Sequence, residues 1–204
     1  MFEDFDLQVR PGEKIALTGA SGRGKSTLLA LLAGLAPADG GTIRICGMPL
    51  TEDTAAALRT RMAWIGQKPH FFAAPFTTNI TLGRRDIDPE RIAQAVRLAA
   101  LEPVRAVRGG LIGEGGAGLS GGEALRLALA RAAADPHADL ILADEPTAHL
   151  DADTARQVME GLLALAAGRT LIVATHDPDL AARMDRIVDL DPSAPAALAR
   201  EYQA

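Results

Sequence analysis

The residues of this chain best suited to chemistry form one short run, Gly19-Ala20-Ser21-Gly22-Arg23-Gly24-Lys25-Ser26, followed by Thr27. The spacing fits G-x-x-x-x-G-K-S/T, the pattern of a loop that cradles phosphates. The run also sits between a strand-like segment, Lys14–Thr18, and a helical one that starts at Lys25. Glycines let the backbone turn tightly and approach oxygen atoms with no Cβ in the way. The N–H groups at the helix start then face the phosphates, and the helix dipole favours an anion there. Lys25 supplies a mobile charge for the β- and γ-phosphates, and the Ser26 hydroxyl is placed to ligate Mg2+. The plain alternative is an ordinary glycine-rich turn, and the flanking strand and helix argue against it.

A second group of chemical residues ends an apolar run, Leu140-Ile141-Leu142-Ala143-Asp144-Glu145. In a parallel sheet the C-terminal ends of the strands line the ligand crevice. Asp144 suits Mg2+, directly or through water. Glu145 would face the γ-phosphate and orient or deprotonate the attacking water. A strand that ends in Asp-Glu is by itself an ordinary solvated strand end. It acquires meaning here because a phosphate loop precedes it in the expected order.

These residues need a scaffold. Strand patterns occur at Lys14–Thr18, Thr42–Cys46, Met62–Ile65, Leu140–Ala143, Thr170–Ala174 and Arg186–Leu190, with helical patterns at Lys25–Gly34, Pro89–Ala100, Gly121–Ala134 and Asp151–Ala167. Strand and helix alternation predicts an α/β fold with a largely parallel sheet, the core of a P-loop NTPase. A small antiparallel β part is expected near the N-terminus. From about residue 69 to 134 the pattern is helical and loop-like, which predicts an inserted helical subdomain. The tail from Asp191, with Pro192 and Pro195, reads as peripheral.

Bulk properties narrow the classes. The 204 residues are 48% hydrophobic and 23% charged, enough apolar material for one well-packed domain. A net charge of −5 offers no basic footprint for nucleic acid. No apolar run approaches the roughly 20 residues needed to span a bilayer, so the isolated domain is expected to be soluble. Glu3, Asp4 and Asp6 stand where a signal peptide would be basic. The single cysteine, Cys46, reads as a small buried hydrophobe, Arg84-Arg85 as a solvated pair, and His70, His137 and His149 as structural or surface residues.

Further along, Leu119-Ser120-Gly121-Gly122-Glu123 precedes a helix ending in Leu129-Ala130-Arg131-Ala132, then come Asp144-Glu145-Pro146-Thr147-Ala148-His149-Leu150-Asp151 and Ala174-Thr175-His176-Asp177. Over nearly the whole chain, this order resembles the nucleotide-binding domain of ATP-binding cassette (ABC) transporters. The family's LSGGQ signature stands here as LSGGE, and its SALD loop as Ala148-His149-Leu150-Asp151. The resemblance implies ATP and Mg2+ as ligands and gives each residue a role. Gln67 would reach Mg2+ and the attacking water, and its loop would touch a membrane domain. Ser120, Gly121 and Gly122 would hold the γ-phosphate bound to a second nucleotide-binding domain, identical or different. Asp151 would link the two sites, and His176 would contact the γ-phosphate and the water. Thr27 would touch the α-phosphate. A lone glutamine after a strand is ordinarily a surface residue, and a lone histidine at a strand end is ordinarily structural. Only the surrounding constellation lifts Gln67 and His176 above that.

The run Ile112–Gly118, Phe71-Phe72 and Thr78-Asn79-Ile80 resemble exporter patterns. The run Glu114–Ser120, together with Trp64–Gln67 and Thr147–Asp151, looks like one subunit of the heterodimeric cysteine/glutathione exporters linked to cytochrome bd assembly. The expected setting is the cytoplasmic face of the inner membrane, joined to a transmembrane domain. The family's adenine-stacking aromatic would lie before Met1, since Phe2 falls at its first strand. The membrane helices would also lie upstream, so an excised or truncated domain is expected. A non-transport ATPase of DNA repair or translation, and an importer subunit, stay as alternatives.

Overall fold

The structure, a computed structural model, describes residues 5–102, 104 and 110–191. Phe2, Glu3 and Asp4, and the tail with Pro192 and Pro195, lie outside the described residues. In chain order the elements are β1 (Lys14–Thr18), α1 (Lys25–Leu32), β2 (Arg44–Ile45), β3 (Met48–Pro49), α2 (Glu52–Arg59), β4 (Met62–Ile65), β5 (Ala74–Pro75) and α3 (Phe76–Thr81). There follow α4 (Pro89–Leu98), β6 (Leu111–Ile112), a 3-10 turn at Glu114–Gly116, α5 (Gly121–Ala134), β7 (Leu140–Asp144), α6 (Ala152–Leu165), β8 (Thr170–Ala174), α7 (Pro178–Ala181) and β9 (Arg186–Asp189).

Five of the strands form one sheet in the order β4-β7-β8-β1-β9, and every pairing in it is parallel. The expected largely parallel sheet is thus a fully parallel one. The antiparallel pairs are short: β2 with β3, and β5 with β6. Successive side chains of a strand point to opposite faces, so each strand must be apolar on both sides to be covered on both. Ile15 and Leu17, Leu140 and Leu142, and Ile172 and Ala174 pack with Leu28 and Leu29 of α1. Their neighbours Ala16, Ile141, Ala143, Leu171 and Val173 join the larger core that includes Leu125 and Leu129 of α5 and Val158 and Leu162 of α6. Each fully buried leucine or isoleucine in these layers contributes roughly 1.5–3 kcal/mol.

Helix α5 is buried over most of its surface, with Leu125, Leu127, Ala128, Leu129, Ala130, Ala132 and Ala134 buried and Glu123, Arg126 and Arg131 its charged positions. Such a helix belongs inside, and this one packs against α3, α4, α6 and β4. Its last carbonyls are capped by arginines. Arg91 Nε donates to Ala134 O at 3.1 Å, and Arg169 donates to Ala132 O and Asp135 O at 3.4 and 3.3 Å. Arg84, read from sequence as solvated, is half-buried and paired with the carboxylate of Asp135, the residue that follows that helix. Its neighbour Arg85 is exposed.

Two other expectations are corrected. Cys46 is exposed, not buried: it sits in the tight turn between β2 and β3, where Cys46 and Gly47 have φ of 50° and 78°. A two-residue hairpin turn of this kind needs positive φ at both positions. Helix α2 has no counterpart in the sequence reading. Its cap is Thr51, and the reciprocal partner is Thr54 rather than a glutamate or glutamine. On β4, Trp64 is 39% exposed and its indole lies back over Gly66, where a Cβ would meet Nε1 at 2.7 Å. Among the described residues no helix is long and apolar enough to cross a membrane.

The segment after β4 is held by a buried amide. Asn79 accepts from Phe72 N at 2.9 Å and donates to Phe72 O at 3.0 Å and Ala74 O at 3.4 Å. Arg131 lies over the Phe71 ring, 4.9 Å from its centroid, and donates to Asn79 O, while burial pushes its guanidinium below the usual range. Asn79→Ala removes the partner of both the N–H and the carbonyl of Phe72, whereas Ala74 O keeps its place in the β5–β6 ladder, and should cost roughly 2–3 kcal/mol, measured by urea unfolding.

Candidate functional site

Because the sheet is parallel, the C-terminal ends of β1, β4, β7 and β8 open on one edge. They carry the phosphate loop, Gln67, Asp144-Glu145 and Thr175-His176 respectively. A cavity of about 660 Å3 lies there. One wall is Ser21, Gly22 and Gly24–Thr27, and facing it are Gln67, Glu145, Thr147, His149, His176 and Asp177.

The loop is built as its sequence requires. Gly22 and Gly24 have φ of 82° and 88°, left-handed conformations that a side chain would disfavour. Gly24 is the N-cap of α1 and offers no side chain to close the helix start, so the first N–H groups stay available to an anion. Lys25 is only 7% exposed. Its Nζ donates to Gly19 O at 2.7 Å and to Ala20 O at 3.3 Å, and stands 3.0 Å from His176 Nε2. Gly19 and Ala20 thus act through their carbonyls. Arg23 does not face the cavity; it pairs with Asp191 at 3.3 Å, so Asp191 packs against the loop and is not peripheral.

Glu145 has a φ of 48°, a strained conformation for a residue with a side chain. It is held from three directions. Its N–H donates to Ala174 O at 2.9 Å, Oε2 accepts from His176 N at 3.1 Å, and Oε1 lies 3.2 Å from His176 Nε2. The ring nitrogen Nε2 therefore stands between an ammonium and a carboxylate. Protonated, it donates to Glu145; unprotonated, it accepts from Lys25. Lys25, His176 and Glu145 form one linked set across three strand ends. Ser26 Oγ donates to Asp144 Oδ1 at 3.0 Å. A hydroxyl and a carboxylate side by side, with the Gln67 amide in the same cavity, are hard oxygen donors that fit Mg2+.

The structure adds residues to the sequence reading. His149, read as structural or surface, is exposed and lines the cavity, with a φ of 62°. Thr147 and Asp177 also line it and bond to each other at 3.0 Å. No spacing rule points to them: the turn after Glu145 brings round Thr147 and His149, and the end of β8 brings Asp177. Ser120, Gly121, Gly122 and Asp151 do not line this cavity. Ser120 caps α5: its Oγ accepts from Glu123 N at 3.2 Å, and its own N–H donates to Glu123 Oε2 at 2.6 Å. The glutamate of LSGGE thereby closes a capping box that a glutamine could also close. Asp151 caps α6 through Thr154 N at 3.0 Å.

A fully parallel sheet, a phosphate loop after its first strand and an acidic strand end facing that loop define a P-loop nucleotide-binding domain. The chain belongs to the ABC transporter family, whose profile matches residues 2–148, and its fold is that of the family's ATPase domain. It is 39% identical over 188 residues to the ATP-dependent lipid A-core flippase of Chromobacterium violaceum, a match covering 90% of this chain and 32% of that protein. It is 37% identical over 192 residues to the glutathione/L-cysteine transport system ATP-binding/permease protein CydC of Bacillus subtilis, covering 92% of this chain and 34% of that protein. A solved structure of a bacterial Atm1-family ABC exporter with ATP bound matches with a TM-score of 0.81 at 32% identity, over 90% of this chain and 32% of that one. The chain spans about a third of the length of these relatives.

The Asp151 carboxyl is held below the usual carboxylate range by the Thr154 N–H and then the Thr154 hydroxyl. A lowered folded-state value means that its stabilisation is present above the ordinary aspartate value of about 3.9 and is lost as pH falls through the folded one. Asp151→Asn can still cap the helix but cannot titrate. It should flatten the acid side of the stability curve, read from urea midpoints between about pH 6 and pH 3.

Proposed function

We propose that this chain is the ATP-hydrolysing motor of an ABC exporter and works as a dimer with two composite sites. The observation that carries the reading is a division of labour. Lys25, Glu145 and His176 meet across the cavity, whereas Ser120–Gly122 stand outside it at the start of another helix. That helix start is free to meet the nucleotide of a second domain.

In this reading ATP lies along Gly19–Thr27, with first-turn N–H groups and Lys25 on its phosphates and Thr27 near the α-phosphate. To reach them Lys25 leaves Gly19 O, Ala20 O and His176. His176 Nε2 then serves Glu145 or the γ-phosphate. Glu145 takes a proton from water as the water oxygen bonds to the γ-phosphorus. The bond from that phosphorus to the β,γ-bridging oxygen breaks, giving ADP and phosphate. Ser26, Asp144 and Gln67 would hold Mg2+, which when bound neutralises charge on the β- and γ-oxygens. Ser120, Gly121 and Gly122 of the second domain close the site, and Asp151 links it to its twin.

The domain runs over residues 1–204 with a helical subdomain near 69–134. It sits at the cytoplasmic face of the membrane through a transmembrane domain. The rate per chain should rise with protein concentration as dimers form, and Glu145→Gln should lose at least about a hundredfold in turnover while still binding ATP. A rate per chain independent of concentration removes the shared site; retained turnover removes Glu145 as the base.

We further read the cargo as a thiol such as cysteine or glutathione. The support is the Trp64–Gln67, Glu114–Ser120 and Thr147–Asp151 segments together with the likeness to the Bacillus subtilis protein. Glutathione should then stimulate ATPase activity of the full-length transporter in vesicles. Stimulation by a lipid A core, with none by thiols, sinks the thiol reading.

A further inference from the structure

The two helix starts that lie outside the cavity are joined to each other. Gly122, the second residue of α5, is buried, and a Cβ there would lie 2.4 Å from Thr154 Cγ2 and 3.8 Å from Leu150 Cδ2. Thr154 belongs to the first turn of α6, and its N–H is the one that holds the Asp151 carboxylate. One side chain thus faces Gly122 with its methyl while its backbone fixes Asp151. One turn further along, Arg126 of α5 donates from Nη1 to Gln157 Oε1 of α6 at 2.7 Å. Arg126 Nε is buried without a hydrogen-bond partner. One N–H of that guanidinium is thus out of water and unpaired, a feature that calls for a reason beyond packing. From Gly122 the contact continues through Leu150 and its neighbour His149 into the cavity wall, and the turn closes on Glu145 through Ala148 N to Glu145 O at 3.1 Å.

We propose that Arg126, Thr154 and Gln157 are positioning residues that lock the helix start at Ser120–Gly122 to the loop at His149–Asp151, so that engaging a partner's nucleotide sets the chain's own cavity. The inference rests on the dimeric reading above. None of the three residues lines the cavity, so they act through Gly122, Asp151 and the turn after Glu145.

The variants separate the parts of the lock. Thr154→Ser keeps the hydroxyl but removes the methyl that faces Gly122; Thr154→Val keeps that methyl. Gln157→Ala removes the acceptor for Arg126; Gln157→Glu restores one. Two quantities are measured on the 204-residue chain: ATP affinity at concentrations too low for dimers, and the gain in ATPase rate per chain as concentration rises. Thr154→Ser and Gln157→Ala should leave the first unchanged and reduce the second by about fivefold or more, the scale of an ordinary coupling between sites. Gln157→Glu should retain most of the gain, and Thr154→Val, which keeps the methyl but loses the hydroxyl that Asp151 accepts from, should retain more of it than Thr154→Ser. Arg126→Met combined with Gln157→Ala should do no more harm than either alone, since both break one contact. An unchanged gain in Thr154→Ser and Gln157→Ala overturns the lock. So does an equal loss of affinity in the dilute chain, which would make these residues merely structural. If the wild-type chain itself shows no gain, the dimeric reading falls, and this inference with it, a result distinct from a wild-type gain that the variants share.

Discussion

In a parallel ladder, hydrogen bonding fixes which strands are neighbours and also which of their ends share an edge. Here β1 lies between β8 and β9, and β7 between β4 and β8, all in one direction. The register pairs Leu17 with Ala174 and Asp144 with Ala174, so the phosphate loop, the acidic strand end and His176 emerge side by side. A parallel sheet must be covered on both faces, which is why every central strand is apolar at successive positions and why helices flank it. The chemical edge and the two-sided core have the same cause.

Around that edge the backbone is held in costly conformations. Glu145 and His149 both lie in the left-handed region although neither is glycine. Such strain persists where the surroundings over-determine it. Here the restraints are the Glu145 N–H on Ala174 O, the carboxylate on the His176 backbone, and the 145–148 turn. Lys25 shows the same economy from the electrostatic side: a buried ammonium is tolerated because two carbonyls and an imidazole surround it. Among the described residues no carboxylate is bonded to that ammonium, so an incoming phosphate competes with two carbonyls and an imidazole.

What could be read in advance follows the range of the interactions. The sheet strands and the long helices were legible because periodicity and caps are local. The strand ranges Lys14–Thr18, Met62–Ile65 and Thr170–Ala174 and the helix Gly121–Ala134 coincide with the observed elements. The phosphate loop and Asp144-Glu145 were legible because their chemistry dictates their spacing. Helix α2 was missed because a threonine stands where a capping box usually has a longer acceptor. Arg84 and Cys46 were misjudged because their surroundings are set by partners distant in sequence or by a turn. Arg84 meets Asp135, 51 residues away. His149 lines the cavity only because the turn after Glu145 carries it there, which no sequence window reports.

The lone tryptophan gives these contacts an optical consequence. Trp64 lies on β4 at the edge of the sheet, and its indole rests over Gly66, immediately before Gln67. Its emission therefore samples the segment that leads into the nucleotide cavity, against a background of one tyrosine. Rearrangement of the backbone at Gly66 must change the environment of that ring. The chain carries a label-free fluorophore three residues from Gln67, so movement of the backbone at Gly66 can be followed in time without modifying the protein.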